Sequence, residues 1–320
     1  MQVRSPGPGD ISFKVGDTDS TAEATHSVGS APAVSKDVEP WLPGRRWHAP
    51  VAPSQQRARG MAVLRTLLNP DAVPQAKAKA TSPNRLYELS YVLHAPKAGL
   101  RSLTFPIAIR RAEQRKGAHD AGDFYAMQFG VNGADGTSVG CGYIGLQPRE
   151  DGKALVVFSG SGPRFSALEG RPEADGGCGA SNSTLIDFQF GHTYELTVER
   201  DAYDPSVLRA YAQNVSNPAR PGPREHVKDL RVDRDVTLAA RQEGFIEHYG
   251  KAISRSAEIG RTEGIFHAPF GRSMQGRHVG GALTQGQLSG RFGTSTTGRR
   301  VTAVEGGQVK AVRVTLWGVR

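Results

Sequence analysis

The sequence predicts an all-β fold, an antiparallel two-sheet sandwich or jelly roll, preceded by a disordered N-terminal extension and one short helix. Three observations carry this. From Leu86 onward apolar residues recur at every second position, the period of a half-buried strand. Turn pairs punctuate those runs: Asn132-Gly133, Asp135-Gly136, Asp151-Gly152 and Gly176-Gly177. And the first forty residues carry no Leu at all.

The elements follow in chain order. Residues 1–53 are rich in Ser and Thr and broken by Pro6, Pro8, Pro32 and Pro40. Such a segment buries too little apolar area to offset its chain entropy, so it reads as disordered. Over 54–84 a short basic amphipathic helix and a linker are expected. Ser54 caps Gln55–Leu68, Met61, Leu64 and Leu68 share one face, and Asn69-Pro70 stops it. Residues 85–320 then form the sandwich. Tyr87, Leu89, Tyr91 and Leu93 line one face of the first strand, and Leu103, Phe105, Ile107 and Ile109 repeat the pattern. Pro106 argues that this second strand lies at an edge. Phe124–Val131 points Tyr125, Met127, Phe129 and Val131 one way. Further strands are expected at Tyr143–Gln147, Ala154–Ser159, Thr184–Phe190, Thr193–Glu199, Val207–Gln213 and Val309–Trp317. Asp151-Gly152 between two apolar runs marks a hairpin.

Composition narrows the class. Hydrophobic residues make up 38% of 320, with 39 Gly and 20 Pro, which fits one folded region plus a segment that buries little. No apolar run reaches the length of a transmembrane helix, and no 20–50-residue repeat points to a solenoid or propeller. The net charge of +9 divides as −1 over 1–50, +9 over 51–116, −6 over 117–253 and +7 over 254–320. No zinc finger, RRM signature or basic zipper accompanies the basic stretches, so a nucleic-acid partner is not expected. No secretory signal opens the chain. It is expected either to stay in the cytoplasm or to leave by a route that reads a flexible, Ser-rich, Leu-poor start. In composition that start is similar to bacterial type III effectors.

Three pieces carry a wider resemblance. They are Phe124-Tyr125-Ala126-Met127-Gln128-Phe129, then Gly142–Gln147 with Val156-Val157-Phe158-Ser159, then Gly191–Leu196 with Phe245–Gly250. In this order they resemble a family of bacterial, mostly exported domains of unknown function with lectin-like β-sandwiches. The resemblance spans about Leu86–Arg272. It implies a lectin-like fold and a binding role, and no reaction. Gly160-Ser161-Gly162 stands where the family is expected to carry a Trp.

The glycine-rich stretches Gly130–Gly145 and Gly170–Gly179 lack phosphate-loop spacing and read as turns. The nine His are scattered without a ligand spacing, so no transition-metal site is predicted. Asp201 and Asp204, in one turn, are weak candidates for structural calcium. Glu247 lies between Phe245 and Tyr249 at strand spacing, which suits sugar hydroxyls or proton transfer. Hydrolysis by the usual route needs a second carboxylate, for which Glu195, Glu199 and Glu243 are the candidates.

Two functions follow from different classes. The first is a non-enzymatic glycan-binding protein using Tyr125, Gln128, Tyr143, Gln147, Glu247 and Tyr249. The second is a glycoside hydrolase or polysaccharide lyase on the same scaffold using Glu247. An effector whose sandwich binds a host protein is a third. Cys141 and Cys178, each flanked by glycines, are expected to be neighbours at one end of the sandwich, either as a disulfide or as two thiols.

Overall fold

A computed structural model describes residues 85–114, 116, 122–168, 179–249, 255–289 and 296–318. The expected extension and helix therefore lie outside the described residues. The strands run β1 (Arg85–Leu93), β2 (Leu100–Arg111), β3 (Gly122–Gly133), β4 (Ser138–Pro148), β5 (Lys153–Ser161) and β6 (Phe165–Ala167). Next come β7 (Gly179–Asp187), β8 (Thr193–Arg200), β9 (Val207–Asn214), β10 (Arg224–Val232), β11 (Val236–Leu238) and β12 (Arg241–Tyr249). The chain continues through β13 (Thr262–His267), β14 (Phe270–Ser273), β15 (His278–Leu283), β16 (Gln287–Leu288), β17 (Thr296–Glu305) and β18 (Gln308–Gly318). Among the described residues the one helical turn is the 3-10 turn Ser256–Glu258. The fold is all-β and antiparallel, as the period-two patterning predicts.

The strands form two layers. The front layer runs β1–β12–β3–β4–β5–β7, with β15 and β16 beside β1. The back layer runs β17–β18–β13–β2–β8–β9–β10–β6. Their inner faces meet in one core. Tyr91 of the front packs edge-on against Phe105 of the back at 5.4 Å, and Tyr125 meets Phe266 at 5.9 Å. Alternation alone selects these residues: every inward position of β3, Tyr125, Met127, Phe129 and Val131, is fully buried.

Two local expectations fail for instructive reasons. Pro106 is not on an edge strand, because β2 lies between β8 and the β13–β14 pair. On the latter side β13 pairs Ile107 and beyond, while β14 pairs Thr104 and earlier. The neighbour changes opposite Pro106, so no ladder partner there needs an N–H. The glycines around Cys141 are not turn residues either, since Gly140, Cys141 and Gly142 lie within β4. A Cβ on Gly142 would stand 2.3 Å from the Phe129 ring, and one on Gly140 2.9 Å from that of Phe165. These positions are small so that rings can cross the strand. By contrast Asp151 and Gly152, at φ 64° and 67°, make the predicted hairpin turn between β4 and β5.

Candidate functional site

The outer face of the front layer gathers most of the predicted contacts. Register sets three rows across it. Glu247, Phe124, Gln147, Leu155 and Leu185 lie side by side on β12, β3, β4, β5 and β7. Phe245, Ala126, Gly145 and Val157 form the second row, and Gln128, Tyr143 and Ser159 the third. β3, β4 and β5 follow one another through short turns, while β12 comes from far along the chain. The pleat points these residues to one side because each strand enters at the same phase.

Three aromatic rings form the middle of this face. Phe124 meets Tyr143 at 5.7 Å and Phe245 at 6.0 Å, both edge-on at 76°. Ala126 and Gly145 leave the space beneath them. A Cβ on Gly145 would lie 2.6 Å from the Phe124 ring and 2.4 Å from the Tyr125 carbonyl oxygen. The rings are buried, as are Gln147, Ser159 and Glu247, so they form a floor. Gln147 Oε1 has no hydrogen-bond partner among the described residues. A buried amide oxygen left this way costs about 1–3 kcal/mol.

Polar groups reach solvent at the β1 side of the floor. A groove of about 300 Å³ opens there between β1, β12 and the β15–β16 connection, lined by Glu88, Ser90, Glu243, Thr284, Gly286 and Gln287. Arg85 anchors it: Nη1 lies 3.2 Å from Glu243 and 3.4 Å from Glu88, and Cζ sits 4.6 Å over the Phe245 ring. One guanidinium thus fixes both carboxylates and ties them to the aromatic floor. Gln287 Nε2 donates to Glu88 Oε1 at 2.9 Å, and the Ser90 N–H donates to Thr284 Oγ1 at 2.9 Å. The turn at Gly286 has φ +71°, and a Cβ there would strike the Tyr87 hydroxyl.

The predicted residues separate as follows. Gln128, Tyr143, Gln147 and Glu247 share the outer face. Tyr125 does not: it points into the core, where its hydroxyl pairs with Thr262 Oγ1 at 2.6 Å. Tyr249 ends β12 opposite Gly122. Of the acids proposed to work with Glu247, Glu195 and Glu199 belong to β8 in the other layer. Glu243 stands four residues along β12, about 13 Å at strand rise, beyond the spacing of a glycosidase pair. The carboxylate beside Glu243 is Glu88, which no local pattern marks. Asp201 and Asp204 are not arranged for calcium. Asp201 accepts the N–H groups of Tyr203 and Asp204 and pairs with Arg209 at 2.9 Å. Asp204 accepts from Ser206 and pairs with Arg231 at 3.0 Å. Cations and N–H donors already occupy these oxygens. Cys141 is a half-buried free thiol on the same outer face, its pKa raised by burial; Cys178 lies outside the described residues.

No protein-family model matches the chain, and no curated protein matches it. No helix among the described residues is long and apolar enough to cross a membrane.

Proposed function

We propose that this chain is a non-enzymatic glycan-binding β-sandwich protein whose ligand enters through the groove at Glu88, Ser90, Glu243 and Gln287. The groove carries the reading. Carboxylates, an amide and two hydroxyls converge on a space at the small end of ligand-site volumes. That donor and acceptor set matches sugar hydroxyls, each of which both gives and takes a hydrogen bond. Arg85 holds the two acids in place before any ligand arrives, which lowers the ordering cost of binding. Half-buried Gln128 lies further along the same outer face. The resemblance to exported lectin-like domains supports the same reading, and the effector-like N-terminal composition is consistent with action outside the producing cell.

A glycan array with the full chain tests this, using plant and bacterial polysaccharides. Saturable binding to at least one glycan is expected, weakened at least about ten-fold in Glu243→Gln and in Gln287→Ala, the loss of about 1.4 kcal/mol. A folded chain that binds none of them would contradict the proposal.

A further inference from the structure

A second cluster lies at one end of the core, on the opposite side of β12 from Glu247. His248 of β12 and Asp123 of β3 are directly opposed in the ladder and both are buried. Glu113, just beyond β2, completes the group. Its backbone N–H donates to Asp123 Oδ2 at 2.8 Å, and the Asp123 N–H donates back to the Glu113 carbonyl at 3.0 Å. The β2–β3 connection, β3 and the distant strand β12 thus fix three ligand-type side chains.

The spacing of their atoms is informative. His248 Nδ1 lies 3.7 Å from Glu113 Oε2 and 3.9 Å from Asp123 Oδ1, and all three ligand atoms fall within 4.8 Å of one another. Those separations are too long for hydrogen bonds. Ligands about 2.1 Å from a tetrahedral cation stand about 3.4 Å apart. The two edges at His248 are a few tenths of an ångström wider than that, and the third lies within 4.8 Å. Glu113 is the member free to close it, with 41% of its side chain exposed.

Of the three side chains only Glu113 reaches solvent, at the edge of the cluster. A Cβ on Gly260 would lie 3.6 Å from Glu113 Oε2. Gly260 also lines a pocket of about 460 Å³ with Ala257, Ile259, Arg261, Trp317 and Gly318.

We infer that Glu113, Asp123 and His248 form a binding site for a borderline first-row divalent cation of the Zn²⁺ type. One imidazole and two carboxylates suit zinc, cobalt or manganese, whereas calcium selects oxygen ligands alone. Three protein ligands leave a position for water in a four-coordinate ion. The site is independent of the glycan groove, being on the other face of β12.

The test is a Co²⁺ titration of the tag-free full chain, read by visible absorption. One equivalent is expected to bind, to be displaced by Zn²⁺ and to resist Ca²⁺. Glu113→Gln, at a half-exposed position, should keep the fold and weaken binding by about 100-fold or more, the upper end of losing an outer-shell partner. Asp123→Asn should do the same. Failure of the wild type to bind stoichiometrically would overturn the inference. So would unchanged binding in both variants, which would assign the metal to other histidines of the chain.

Discussion

Replacing Gly145 by Ala puts one methyl group where two strands and a ring already meet. The added carbon would stand 2.4 Å from the Tyr125 carbonyl oxygen, 2.6 Å from the Phe124 ring and 2.8 Å from the Ala126 Cα. Two of those atoms are backbone of β3, so a rotamer change cannot relieve the clash. Either the β3–β4 ladder opens or Phe124 leaves its place against Tyr143 and Phe245. Overpacking of a tight core costs about 1–3 kcal/mol, and this site belongs at the upper end. A loss of about 3 kcal/mol lowers Tm by roughly 6–12 °C for a folded region of this size. Gly280→Ala is the control: it is exposed on β15 with nothing within 4 Å of the new carbon. There Ala should stabilise by about 0.5 kcal/mol, as expected for a strand interior. Urea unfolding of both variants, followed by near-UV circular dichroism, measures the difference. Equal stability within about 0.5 kcal/mol would refute the packing of Phe124 over Gly145, and with it the floor of the proposed site.

Further outcomes follow from individual contacts. Tyr125→Phe removes the buried hydroxyl bonded to Thr262 at 2.6 Å. It should cost about 1–2 kcal/mol without changing glycan binding; lost binding in a stable variant would return Tyr125 to the site. Asp201→Ala frees the N–H groups of Tyr203 and Asp204 in the β8–β9 turn and should cost about 1 kcal/mol. Added Ca²⁺ should leave the wild-type Tm unchanged, and a calcium-dependent rise lost in this variant would restore a cation there. Burial raises the Glu113 pKa, with His248 opposing and Asp123 adding to it. The metal-free folded chain therefore keeps this proton to higher pH than the unfolded chain. Its contribution to stability is present below the ordinary glutamate value and falls as pH rises through the folded value. Wild-type stability should thus decline relative to Glu113→Gln across that window, and parallel pH curves would contradict the assignment.

The layers were readable because alternation names the buried side of each strand. Tyr87, Leu89, Tyr91 and Leu93 are all buried as their period requires. Alternation also separates Tyr125 from Phe124, which is why a binding role for Tyr125 conflicts with its own strand pattern. Neighbour relations beyond the Asp151-Gly152 hairpin were not readable. Glu88 nears Glu243 because β1 pairs β12 in a register that sets Glu88 opposite Phe245 and Ser90 opposite Glu243. His248 meets Asp123 across a ladder that joins distant parts of the chain. No local spacing encodes either meeting. The Gly140–Gly142 segment shows a further limit: glycine that admits a neighbouring ring has the same letter as glycine in a turn.

The proposed glycan site is the outer face of the front layer, entered beside Glu243. Hydrogen exchange of the full chain, with and without a soluble oligosaccharide of the glycan bound on the array, tests it most directly. Slowed exchange is predicted in peptides covering Arg85–Ser90, Arg241–Tyr249 and residues 284–288, with the back-layer strands β8 and β9 unchanged. Protection confined to β8, β9 and β10 would place the ligand on the other layer and contradict the claim.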